Sequence, residues 1–140
     1  MGAFLSCFTH EVKTLQEGDR VFFKTYFGKY ICVLDSNNVT QVSDLQDGCY
    51  FTVKAFNPVK LAFKTFYGDT WLSIAEDGSV VQNNKVEDAE VFTPVYYEGG
   101  ISLKSIKSNT YITANEDLKL THKVDYNERT MLTTHQKYFN

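Results

Sequence analysis

Three segments of this chain, Val21-Phe-Phe-Lys-Thr25, Leu61-Ala-Phe-Lys-Thr65 and Ile101-Ser-Leu-Lys-Ser105, repeat one another at an unbroken spacing of 40 residues. Self-similarity at this period signals an architecture built from stacked or radially arranged copies. The match continues beyond the starts: Tyr30, Trp71 and Tyr111 are followed nine residues later by Val39, Val80 and Leu120, and twelve residues after those by Phe51, Phe92 and Leu132. Aromatic residues make up 15% of the chain, almost all Phe and Tyr, and with only 2 Pro the composition favours short pleated strands. No window of a dozen residues carries a helical apolar stripe. The best helical candidate, around Asp44–Gly48, is one turn at most.

Alternation with period two assigns the faces. Val21/Phe23, Leu61/Phe63 and Ile101/Leu103 point inward, and Lys24, Lys64 and Lys104 point outward. In the second strands Ile31/Val33, Leu72/Ile74 and Ile112/Ala114 point inward, with Cys32, Ser73 and Thr113 expected outside. Val39, Val80, Leu120, Phe51, Phe92 and Leu132 complete a predicted core of eighteen side chains. At about 1.5–3 kcal/mol for each large apolar side chain fully buried, that core offsets the ordering of a domain this size. Gly28, Gly68 and Asn109 stand where tight turns demand a left-handed backbone.

Each copy therefore reads as four short strands. Propellers close with four to eight blades, and this chain has three copies. The expectation is an all-β β-trefoil of three four-stranded repeats with pseudo-threefold symmetry. The repeats lie near 20–59, 60–99 and 100–140, after an N-terminal tail over 1–19.

Two of these copies also carry a family likeness. Val21-Phe-Phe-Lys-Thr-Tyr-Phe-Gly-Lys-Tyr30, Leu61-Ala-Phe-Lys-Thr-Phe-Tyr-Gly68 and Trp71-Leu-Ser-Ile-Ala-Glu-Asp-Gly-Ser-Val80 resemble the repeats of the fascin-like β-trefoil family. The third copy is more degenerate, with Asn109 replacing one glycine and Leu118 another. A single domain of this length is most similar to the hisactophilin type of that family. The resemblance implies a non-enzymatic, actin-binding module that links or bundles filaments, with self-association as one route to bundling. The histidine-rich surface of that type is missing: the chain has only His10, His122 and His135.

The first residues, Met1-Gly2-Ala3-Phe4-Leu5-Ser6-Cys7, fit the Met-Gly-x-x-x-Ser pattern for myristoylation of Gly2. Cys7 is a palmitoylation candidate. One acyl chain holds a membrane only marginally, so a second attachment is required. The expected location is cytoplasmic, at the inner face of the plasma membrane or the cell cortex.

Other classes find less support. A net charge of −3, from 14 Lys+Arg against 17 Asp+Glu and with no basic run, gives no reason to bind nucleic acid. Cys7, Cys32 and Cys49 lack metal-ligand spacing and suit a reducing compartment. No serine or cysteine nucleophile can be placed beside His122 or His135, and no paired carboxylates stand out, so neither catalysis nor a cofactor is expected. Lys24, Lys64 and Lys104, recurring at one position, and Lys29 at a Gly-Lys-Tyr turn are the candidate partner-binding residues. Their plain alternative is to solvate an outward face. The alternative function is a carbohydrate-binding lectin, whose aromatic side chains would stack on sugars. Against it, neither Gln41 nor Gln82 is followed by the tryptophan of a Gln-x-Trp motif.

Overall fold

In a computed structural model the chain is described over residues 14–34, 39–123 and 127–137. It is all-β, with twelve strands among the described residues. These are β1 (Arg20–Lys24), β2 (Tyr30–Val33), β3 (Val39–Val42), β4 (Phe51–Asn57), β5 (Lys60–Thr65), β6 (Trp71–Ile74), β7 (Val80–Asn83), β8 (Phe92–Tyr97), β9 (Gly100–Ser105), β10 (Tyr111–Ala114), β11 (Leu120–Lys123) and β12 (Thr133–Lys137). Short 3-10 turns at Asp47–Cys49, Asp88–Glu90 and Glu128–Thr130 precede β4, β8 and β12. The first overlaps the end of the Asp44–Gly48 stretch predicted as a single turn of helix and begins three residues later.

Six strands run side by side around a nearly closed barrel-like sheet. β12 pairs with β1, β1 with β4, β4 with β5, β5 with β8, and β8 with β9, all antiparallel. The bridge between Ile101 and Leu132 brings β9 back to the chain just before β12. The remaining six strands form three hairpins, β2–β3, β6–β7 and β10–β11. Curling the sheet this way leaves few free edges on the ring.

Alternation places the core well. Seventeen of the eighteen predicted side chains belong to the buried cluster, and Val39 packs against it half-buried. Four phenylalanines run through its centre, with Phe23 touching Phe51 and Phe63, and Phe63 touching Phe92, at ring-centroid distances of 5.3–6.0 Å. Leu15 is an addition: it is buried in the same cluster, and its N–H donates to the Tyr96 hydroxyl.

The outward assignment of Cys32, Ser73 and Thr113 is corrected, because all three are buried. Their strands are covered on the second face by the 3-10 turns, which pack on β2, β6 and β10. A strand enclosed on both faces loses its alternation. The hydroxyls then need partners: Ser73 donates to the buried Glu90 carboxylate, and Thr113 to the Tyr111 carbonyl at 3.0 Å.

Gly28, Gly68 and Asn109 adopt the expected left-handed backbone, with φ of 74°, 91° and 62°. Leu118 does so as well, at φ 73°, where the β6–β7 turn has Gly78 at φ 92°. The Leu118 carbonyl accepts from Gln41 N–H and from the Thr40 hydroxyl, so neighbouring β3 holds the turn in place. A branched side chain there is strained, and at 43% exposure it gains little burial in return. Leu118→Gly is expected to stabilise the fold by about 1 kcal/mol, relief of strain outweighing the added chain entropy. Equilibrium denaturation checks this; a variant less stable than the parent would mean that the Leu118 side chain makes a contact that matters.

Candidate binding faces

Lys24, Lys64 and Lys104 occupy one recurring setting. Each is the residue directly opposite the first aromatic of the following hairpin: Lys24 faces Tyr30, Lys64 faces Trp71, and Lys104 faces Tyr111. On the other side each faces a threonine, Thr133, Thr52 and Thr93 respectively. The ammonium groups lie over the rings at 5.9, 5.8 and 5.6 Å from the centroids. Contacts of this kind contribute about 0.5–1 kcal/mol at exposed sites. They hold each cation at a fixed place on the barrel wall while leaving it half-exposed.

Lys29 is not part of this set. It lies in the β1–β2 turn, where its ammonium donates to the Ser43 hydroxyl at 2.9 Å. Gly2 and Cys7, the lipidation candidates, lie outside the described residues, as does His10.

A further cation was not anticipated. The Arg20 guanidinium lies over Tyr50 and Phe66, at 5.3 and 5.5 Å from the ring centroids, and Phe22 meets Tyr50 and Tyr30 edge-on. Arg20, Phe22 and Tyr50 lie on no repeated lysine position. The only available signal was the outward parity of Arg20 and Phe22 on β1, opposite that of Val21 and Phe23.

His122 does have a hydroxyl beside it. Its Nδ1 is hydrogen-bonded to Thr110 Oγ1, which in turn contacts Ser108 Oγ. Thr110 is buried, which puts its hydroxyl out of reach of a substrate. The same register on β3 and β7 holds Gln41 and Gln82, which accept from Thr25 and Thr70. Gln41 also donates to the Asn115 and Lys119 carbonyls, stitching β3 to the β10–β11 turn. His122 thus sits in a position used elsewhere as a structural clip. Its ring packs so closely on Gly78 that a Cβ there would lie 2.5 Å from Nε2. Exposed Asp77 is held below the usual carboxylate range by hydrogen bonds from the Ser79 hydroxyl and N–H, with a smaller contribution from His122.

Cys32 and Cys49 come together, as their positions on β2 and the first 3-10 turn allow, and both are buried free thiols. Burial, reinforced by the neighbouring Cys49 thiol, pushes Cys32 up to about 12. A thiol held protonated in this way is a poor nucleophile and a poor metal ligand.

No protein-family model matches the chain, and no curated protein matches it.

Proposed function

We propose that this chain is a β-trefoil binding module of the fascin-like type, acting without catalysis by presenting three equivalent lysine–aromatic faces to an acidic filament, with actin as the partner the resemblance implies. The observation that carries this reading is the recurrence of the lysine on its ring at one register in all three copies. The trefoil itself is supported by the six-strand ring, the three attached hairpins and the three 3-10 turns beginning at Asp47, Asp88 and Glu128. Repetition of a charged, ordered group around a barrel suits a repetitive partner, because several weak contacts add through effective concentration. Cation–π stacking also removes part of the side-chain entropy that a free lysine would lose on binding.

Filament linking needs a second attachment. An acylated Gly2, alone or with Cys7, would provide it at a membrane, and self-association would provide it between filaments.

Co-sedimentation with actin filaments at physiological salt tests the reading. The full chain is expected in the pellet at micromolar concentration. The Lys24→Glu/Lys64→Glu/Lys104→Glu variant is expected to bind at least about tenfold more weakly, since reversal of rim charges acts directly on association. Protein that stays in the supernatant overturns the actin assignment. A folded triple variant that binds like the parent removes the three lysines from the site.

A further inference from the structure

The β4–β5 hairpin ends in Phe56-Asn57-Pro58-Val59, and its apolar side chains face water, with Phe56 49% and Val59 56% exposed. The related β8–β9 hairpin is built differently. Its tip is Glu98-Gly99, and the aromatic before it, Tyr97, is tied back by a hydroxyl that donates to the Ile101 carbonyl at 3.1 Å. An apolar tip is therefore not something a hairpin at this end of the barrel needs in order to form.

The geometry of the tip directs Phe56 outward. Register shifts between Ala55 and Asn57, which makes Phe56 the extra residue of a bulge, and bulges re-aim the side chains they carry. Pro58 fixes one dihedral of the turn, and Val59 N–H donates to Asn57 Oδ1 at 2.9 Å, so the tip is pre-organised. Two exposed lysines flank it. Lys54 lies 5.3 Å from the Phe56 ring centroid, and Lys60 begins β5 on the other arm. Apolar groups at the point and cations on the shoulders match a bilayer surface, with acyl chains beneath an anionic headgroup layer.

We propose that the β4–β5 hairpin is a membrane-docking element that places Phe56 and Val59 in the interface of an anionic bilayer, with Lys54 and Lys60 among the headgroups. The inference rests on the acylated-tail reading above, for which the hairpin is the second attachment that a single acyl chain requires. The described residues before β1 lie beside the hairpin. Gly18 N–H donates to the Val53 carbonyl, Val53 N–H to the Asp19 carbonyl, and Ala55 N–H to the Glu17 carboxylate, each at 2.8 Å. Glu17, Gly18 and Asp19 thus run along β4 beside this hairpin. Glu17, the acidic group closest to the tip on that segment, is engaged by a backbone donor.

The test uses the full chain, with and without a myristoyl group on Gly2, and vesicles of equimolar phosphatidylcholine and phosphatidylserine. A reporter with Trp71→Phe and Phe56→Trp has its single indole at the tip. On vesicle-bound acylated protein its emission is expected to shift to the blue and to be quenched by brominated acyl chains. Phe56→Ser/Val59→Ser, both at exposed sites, is expected to leave the melting temperature unchanged and to weaken vesicle partition about tenfold in acylated and unacylated protein alike. An indole that stays water-exposed while the acylated protein is vesicle-bound overturns the hairpin and leaves the tether standing. Acylated protein that does not bind overturns both. Unchanged partition of the double serine variant also overturns the hairpin.

Discussion

Gly48→Ala is expected to destabilise the protein by about 3 kcal/mol, in the range of a severe overpacking substitution. Gly48 is buried in the middle of the first 3-10 turn, and a Cβ built on it falls far inside van der Waals contact with the Val33 carbonyl oxygen and 3.2 Å from Cys32 Sγ. The obstructing atom is backbone. Val33 belongs to β2 and pairs with Val39 across the hairpin, so it cannot retreat without loosening that pairing. The turn would have to back away from β2 instead, opening the contact between Cys32 and Cys49. Ala89 and Arg129 occupy the middle of the other two 3-10 turns, so a wider spacing is compatible with the fold, and the variant should fold at reduced stability. Gly28→Ala is the control. Its Cβ would meet nothing within 4 Å, and only its φ of 74° opposes substitution, for about 1 kcal/mol. Denaturant titration of the two variants separates the mechanisms: Gly48→Ala should lose clearly more, and its buried thiols should react faster with a thiol reagent. Equal losses would mean that the close approach of the turn to β2 contributes nothing.

Gly48 also marks where the sequence stops being readable. The core was legible because the large apolar side chains of the barrel strands recur at every second position, so Val21/Phe23, Leu61/Phe63 and Ile101/Leu103 could be placed without knowing what lay across from them, even though Ala62 and Ser102 between them are buried too. The turns at Gly28, Gly68 and Asn109 were legible because few residues tolerate a left-handed backbone. Alternation fails at Cys32, Ser73 and Thr113, since it assumes one wet face, and the 3-10 turns that cover the second face have no periodicity to detect. A buried Glu90 is equally hidden: only the approach of Ser73, the Glu87 N–H and Asn83 gives its carboxylate partners.

The candidate site divides in the same way. Repetition exposed Lys24, Lys64 and Lys104, and the aromatic at the start of each second strand was already part of the pattern. That these residues stack depends on a turn returning the chain to the adjacent register, which spacing alone leaves open. Lys29 shared the motif but not the setting, because the second and third copies insert a residue in that turn. The hairpin tip at Phe56 was invisible for a different reason. Parity puts Phe56 on the outer face of β4 with Thr52 and Lys54, but a bulge adds one residue without any compositional signature, and spacing does not say that this face is left uncovered at the tip.

Phe63→Ala should be the most damaging single change in the barrel. The ring is fully buried and lies at the middle of the Phe51–Phe23–Phe63–Phe92 series, edge-on to Phe23 at 5.3 Å and tilted against Phe92 at 6.0 Å. Truncation removes the transfer free energy of the side chain, leaves a cavity and breaks two aromatic contacts, for a total of about 4 kcal/mol. That is a large share of the 5–15 kcal/mol that holds a typical domain together, so the variant should be partly unfolded at physiological temperature. Phe63→Leu provides the internal comparison. Leu103 occupies the corresponding position on β9 and is fully buried there, so leucine has a precedent in the same barrel. It should cost about 1.5 kcal/mol, with the remaining loss traced to the unfilled part of the ring's volume. Thermal denaturation of the pair decides. A leucine variant as unstable as the alanine one would show that the edge-on ring contacts, and not the filling of the barrel, carry the stability. An alanine variant melting within a couple of degrees of the parent would contradict a core centred on this ring.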